Sequence, residues 1–422
     1  MESLDATLTS EVLRSGLSAA MTPSSPDEGV QDYLSGSGRS IPLFKVFMPD
    51  SAIAASEKTL RSGFIGQGPR VDAFETALAD WFGGSQILTL NSGTSAIHLA
   101  LRLAGVGQGD EVISTPMTCT ATNVPILAMG ARLVWADIDP CTGNIDPVDV
   151  RRKITSHTKA IIAVHWGGYP CELDELADIG RKHGIPIIED AAHAFGASYH
   201  ERPVGSHSDF VCFSFQAIKS LTTVDGGALV CQDPAVYRRG KLLRWYGIDR
   251  EAPRKDLRCE ADILEWGYKF HMNDVAAAIG LEQLRYVRRV LERHRDNAAY
   301  YRDRLKDLPG VKLLESRTDR QSSCWLFTVL LHGGRDSFID AMSQAGIVTS
   351  QVHVRNDVHT AFRAFRSELP GVDCFSSRQV SIPVGWWLTD EQRSYIADTV
   401  VGLCSDEVLA HTPDRLAKTA SI

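Results

Sequence analysis

Seven short apolar runs recur between residues 86 and 232: QILTL (86–90), EVIST (111–115), RLVWADI (132–138), AIIAVH (160–165), IPIIED (185–190), FVCFSF (210–215) and GALVCQ (227–232). Between most of them lie stretches with helical periodicity, such as TSAIHLALRLAG and CELDELADIGRKHG. Runs this apolar are strands buried on both faces, and the helices that alternate with them cover those faces. The alternation predicts an α/β fold built on a mostly parallel, seven-stranded sheet. Helix punctuation agrees: residues 94–104 carry Ile97, Ala100, Leu101 and Ala104 on one side, with Gly105 as a stop, and residues 174–182 run into His183 and Gly184.

At 422 residues the chain is too long for one small core. Residues 1–40, with PSSPDEG and SGSGRS, read as a flexible leader, and residues 41–286 as the large α/β domain. Residues 287–422 then form a smaller α+β domain. It opens on the charged helix VRRVLERHRDNAAYYRDRLKDL and continues through CWLFTVLL as a strand, DSFIDAMSQAG as a helix, VSIPVG, and TDEQRSYIADTVVGLC as a last amphipathic helix.

Charge and cysteine usage narrow the function classes. A net charge of −8 without a basic stripe gives no footprint for nucleic acid. The nine cysteines are scattered and never form CxxC, a pattern of reduced thiols in a cytoplasm with no metal site. The first residues lack the basic and apolar regions of a signal peptide, and no apolar run approaches a membrane span. Small molecules or another protein chain are the expected partners.

In open α/β sheets ligands sit beyond the carboxyl ends of the strands, so the residues just after each apolar run matter most. NSGT (91–94) offers Gly93, for close backbone approach, and Thr94 at a helix start, which is either an anion site or an ordinary cap. Asp190 closes IPIIE as a buried carboxylate that needs a cation, a salt bridge or a cap. His193 follows three residues later, as a hydrogen-bond donor or a satisfied core histidine. Ser214 and Lys219 follow the FVCF run, and the lysine is either a surface ammonium or an amine for carbonyl chemistry. A phosphate cradle, a carboxylate for a ring nitrogen and a lysine, in that order on successive strand ends, describe pyridoxal phosphate.

From about Ile41 to Cys404 the chain resembles the DegT/DnrJ/EryC1/StrS aminotransferases, fold-type I pyridoxal-phosphate enzymes that mostly aminate nucleotide-linked keto-sugars or cyclitols. The matching segments are FIGQGPRVDAFE, NSGTSAIHLALRLAGVGQGDEVI, DIDPCTGNIDP, KAIIAVHWGGYP, IEDAAHAFGA, FSFQAIKSLTTVDGG and GYKFHMND. The resemblance implies that Lys219 forms the Schiff base and moves the proton, while Asp190 faces the pyridine nitrogen and His193 the phenolic oxygen. It gives the phosphate to Gly93, Thr94 and Ser214. Cys119 stands where the family often stacks an aromatic residue on the cofactor. GYKFHM replaces the usual GYNYRM, so Lys269 and His271 stand for asparagine and arginine, and Ser220 stands for the asparagine after the lysine.

By the same resemblance the chain is a cytoplasmic homodimer with sites shared between subunits, Lys269 reaching the neighbour's cofactor phosphate. The reaction is a ping-pong transamination from L-glutamate or L-glutamine, through pyridoxamine 5′-phosphate, to a nucleotide-linked keto-sugar in antibiotic or surface-polysaccharide synthesis. FSFQAIKSLTTVDGG is nearer the segments that accompany amination at carbon 4 of the sugar, while Gln216 is similar to a residue of cyclitol aminotransferases, which makes aminocyclitol formation the alternative. A sugar dehydratase would need histidine in place of Lys219, and a non-catalytic regulator is the remaining class. His165 and Gln216 are candidate substrate contacts, and in SQVHVRNDVH, a loop of the smaller domain, His353, Arg355 and Asn356 are either substrate contacts or part of a solvated loop.

Overall fold

The computed structural model describes residues 40–253 and 262–405. The expected leader and the last residues of the chain lie outside the described residues. All seven apolar runs form strands of one sheet: β1 (Gln86–Leu90), β2 (Glu111–Ser114), β3 (Arg132–Trp135), β4 (Thr158–Val164), β5 (Ile187–Asp190), β6 (Phe210–Ser214) and β7 (Gly227–Cys231). Their spatial order is β1-β7-β6-β5-β4-β2-β3. Every neighbouring pair is parallel except the two that β7 makes, with β1 and with β6.

Both faces of the sheet are buried because its residues alternate between cores. Leu88, Val112, Ile162, Ile188, Cys212 and Leu229 join one apolar cluster. Their chain neighbours Ile87, Val211 and Val230 enter a second, and Ile113, Ile161 and Ile187 a third. This two-residue period with no polar face makes the runs read as continuous apolar segments. Helix α1 (Gly93–Leu103) covers the first face with Ile97, Ala100 and Leu101. Its start is fixed by Ser92, whose hydroxyl accepts from the Ser95 amide at 3.0 Å. Helix α2 (Thr120–Ala128) follows β2, and α3 (Leu173–His183) ends on Gly184 in the left-handed region, at φ 65°.

A second, antiparallel sheet joins Val311–Leu313, Phe327–Leu331 and Gln379–Ile382. Helices α4 (Val287–Leu305), α5 (Arg335–Gln344) and α6 (Asp390–Ser405) pack into its core through Tyr301, Phe338 and Val400. The strand expected from CWLFTVLL starts only at Phe327. Cys324 has a positive φ of 54° and Trp325 turns toward the carboxyl ends of the large sheet. Among the described residues no helix is long and apolar enough to cross a membrane.

Candidate active site

The carboxyl ends of the parallel strands and the start of β7 enclose a cavity of about 490 Å³. Gly93, Thr94, Cys119, Asp190, His193, Ser214, Gln216, Lys219 and His353 all line it. Gly93 opens α1 against the end of β6, where a Cβ would stand 2.9 Å from that of Ser214. Gly227 lies equally close to the chain before Gly93, with room for no Cβ beside the Ser92 carbonyl. The notch therefore exposes backbone amides and the Thr94 and Ser214 hydroxyls at a helix N-terminus, a setting that could hold a phosphate.

Asp190 ends β5 at 5% exposure. Its Oδ2 accepts from Thr122 Oγ1 at 2.6 Å and its Oδ1 from the Ala192 amide at 3.1 Å. Both donors are neutral, and they leave lone pairs on the carboxyl oxygens for a cationic ligand.

Lys219 is held in a loop whose turn is closed by its own amide, which donates to the Gln216 carbonyl at 2.9 Å. Its Nζ lies 3.7 Å from the centroid of the Trp325 ring. Burial pushes the ammonium down to about 8, against the opposing charges of Asp190 and Cys119. At pH 7 about a tenth of the amine is then neutral, far more than for a free lysine. The His193 ring stacks on the same indole, with its centroid 3.9 Å from that of Trp325, and its Nε2 lies 3.4 Å from His353 Nε2. Burial first, then Lys219 and His353, hold His193 well below the usual histidine range. Burial and Lys219 bring His353 down to about 4. Both rings are neutral at pH 7, so one nitrogen of the pair donates and the other accepts. His193 Nδ1 is buried with no hydrogen-bond partner among the described residues.

Four of the sequence-derived candidates lie off the cavity wall. His165 is fully buried, its Nδ1 accepting from the Cys171 amide at 3.1 Å and its Nε2 donating to Glu189 at 2.8 Å. Asn356 is fully buried, with both ends of its amide bonded to protein groups. Arg355 grips Asp357 through two hydrogen bonds of 2.7 Å and also pairs with Asp373. Lys269 is exposed, and its carbonyl accepts from Asn91 at 3.4 Å. Conversely, Trp325, Phe44, Thr118 and Thr122 line the cavity without having been singled out. Thr122 stands in the CTATN segment near Cys119, where a hydroxyl in the first turn of the helix that follows β2 was the available signal. Nothing local distinguished Trp325 and Phe44, whose rings stack at 5.0 Å from opposite ends of the chain.

The profile of the DegT/DnrJ/EryC1/StrS aminotransferase family matches residues 48–401. The chain belongs to this family. Solved structures similar to this chain include AtS13 from Actinomadura melliaura, which is 45% identical over 87% of this chain and 99% of its own, with a TM-score of 0.83. The sugar aminotransferase CalS13 from Micromonospora echinospora is 40% identical over 86% of this chain and 99% of its own, also with a TM-score of 0.83. Spr1654 from Streptococcus pneumoniae, a putative sugar aminotransferase solved in a PLP form, is 29% identical over 87% and 99%, with a TM-score of 0.81. The family is pyridoxal-phosphate-dependent, and its fold is the fold-type I architecture described above.

The residues present fit that cofactor. The Gly93 notch could take its phosphate, Asp190 a protonated ring nitrogen, the unpartnered His193 Nδ1 shows polar capacity left unused, and Lys219 could reach its aldehyde. Cys119 stands at the residue before α2 and lines the cavity without offering a ring.

Proposed function

We propose that this protein transfers an amino group from L-glutamate or L-glutamine to a keto group of a nucleotide-linked sugar, using pyridoxal phosphate. The observation that carries the reading is the meeting of Lys219, Asp190, His193 and the Gly93–Ser214 notch in one cavity. When bound, the cofactor supplies an aldehyde that condenses with amines and a protonated ring that accepts electrons from the adjoining carbon.

The chain does the rest. Gly93, Thr94 and Ser214 would hold the phosphate, Asp190 would keep the ring nitrogen protonated, and His193 would face the phenolic oxygen. Lys219 Nζ would be both the covalent anchor and, as the free amine, the base that takes the proton from the donor's α-carbon and delivers it across the shared nitrogen to the former aldehyde carbon. Its lowered pKa suits the task, because the base is available near neutral pH. His353 and Gln216, at the cavity wall, are the substrate contacts this reading favours over the engaged Arg355 and Asn356.

The working unit is a cytoplasmic homodimer. Phe64, Leu264 and Trp266 are all 60% exposed or more, large apolar side chains that suit burial against a second copy. Exposed Lys269 then serves the partner's phosphate. Gln216 at the cavity wall favours a second reading, amination of a keto-cyclitol, with the same residues in the same roles. The discriminating experiment loads the amine form of the cofactor and offers nucleotide keto-sugars and keto-cyclitols in parallel. Return of the aldehyde form with one class and not the other decides between them, and return with neither overturns both.

A further inference from the structure

From the cavity wall, where Thr118 and Thr122 stand, buried hydrogen bonds link Asp190 to the loop at residues 350–358, the path crossing Thr118 from its hydroxyl to its carbonyl. Thr122 Oγ1 donates its one proton to Asp190 Oδ2 at 2.6 Å. In its 2.8 Å contact with Thr118 Oγ1 it must therefore accept, and Thr118 donates. The Thr118 carbonyl accepts from Asn356 Nδ2 at 2.7 Å, and Asn356 Oδ1 accepts from Asn123 Nδ2 at 2.8 Å. Asn123 Oδ1 in turn accepts from Ser114 Oγ at 2.7 Å. The Asn356 amide also donates to the Pro116 carbonyl at 2.8 Å, which pins the turn that carries Thr118. Ser114, Thr118, Thr122, Asn123 and Asn356 are each at most 2% exposed.

A buried polar chain with each link made has few alternative arrangements, because breaking any link strands a group away from water. Its end point is a carboxylate that would otherwise be free to turn about its Cβ–Cγ bond. With Thr122 on one oxygen and the Ala192 amide on the other, the Asp190 plane is set before any ligand arrives. We propose that Thr122 is a positioning residue for Asp190, and that Asn356 sets the Thr122 hydroxyl through Thr118. The inference rests on Asp190 being the partner of the cofactor's ring nitrogen, as in the function proposed above.

The test is equilibrium dialysis of cofactor-stripped protein with pyridoxamine 5′-phosphate. That ligand makes no covalent bond to Lys219, so its affinity reads the non-covalent contacts alone. Thr122→Val, alike in shape but without the donor, weakens binding about tenfold, the weight of roughly one hydrogen bond to a charged group. Thr122→Ser restores affinity to within about twofold. In an Asp190→Asn background Thr122→Val changes nothing, because no carboxylate is left to orient. Asn356→Ala weakens binding about threefold in the native background and adds nothing to Thr122→Val. Native affinity in Thr122→Val, or an equal loss with and without the Asp190 carboxylate, overturns the proposal. If Thr122→Val does not fold, Asn356→Ala decides by the same comparison of backgrounds. Native affinity in Asp190→Asn alone would instead overturn the assignment of Asp190 on which the inference rests.

Discussion

Trp325 holds Lys219 from two directions: its ring lies 3.7 Å below the ammonium, and its Nε1 donates at 3.0 Å to the carbonyl of Ile218, the residue before the lysine. The indole thus fixes both the head group and the backbone of the residue proposed to do the chemistry. Trp325→Phe keeps a ring and loses the hydrogen bond, and should slow the glutamate half-reaction about three- to tenfold. Trp325→Leu loses both contacts, and the deficit should deepen to about a hundredfold. Stopped-flow absorbance of the bound cofactor measures both, and native rates in both variants would remove Trp325 from the account.

Burying Lys219 costs the cofactor-free protein stability, and the cost depends on pH. Below about 8 the lysine is charged in the folded and the unfolded chain, so the folded protein bears the full penalty. As the pH rises from there to the unfolded value of about 10.4, the folded lysine loses its proton and the penalty fades. Cofactor-free Lys219→Met should therefore melt about 2–4 °C above the native protein at pH 7. The gap should close by about pH 10.5, and a gap that widens with pH would contradict the burial of this amine.

His165 and Glu189 form a fully buried pair, and Glu189 also accepts from the Ser208 amide at 3.1 Å. Removing the imidazole leaves a carboxylate with one of its oxygens unpaired in the core, so His165→Ala should cost about 3–5 kcal/mol of unfolding free energy. Urea denaturation reads this directly. A variant of native stability with a raised KM for the sugar would restore His165 as a substrate contact.

Lys269 gives a test of shared sites. If it serves the partner's cofactor, mixing Lys219→Ala and Lys269→Ala subunits makes heterodimers with one site lacking both lysines and one site intact. Activity should return to about a quarter of the native level after random mixing. A role within its own chain puts one lesion in each site and returns nothing.

The scaffold was legible in the sequence because buried parallel strands leave a simple trace. Each of the seven apolar runs became a strand, and Gly105 and Gly184 marked where helices ended. The reversed β7 also left a trace, since no helix separates it from β6. The candidate site was half legible. Gly93, Asp190, His193, Ser214 and Lys219 stand at strand ends or within five residues after them, so topology carries them to one edge. Trp325 and Phe44 reach the cavity through packing between distant segments, which no local period records. Arg355 and Asn356 read as ligand groups from their chemistry, yet the structure uses them to tie a loop, and the partners that decide this, Asp357, Asp373, Thr118 and Asn123, are set by tertiary contact.

The most direct measurement is a single turnover without acceptor. Cofactor-loaded protein is mixed with L-glutamate, or with L-glutamine in a parallel run, and the keto acid released is counted against protein chains. The expected result is about one keto acid per chain with the better donor, conversion of the cofactor to its amine form, and neither product with Lys219→Ala. No keto acid from either donor, or the same yield from Lys219→Ala, would contradict transamination through this lysine.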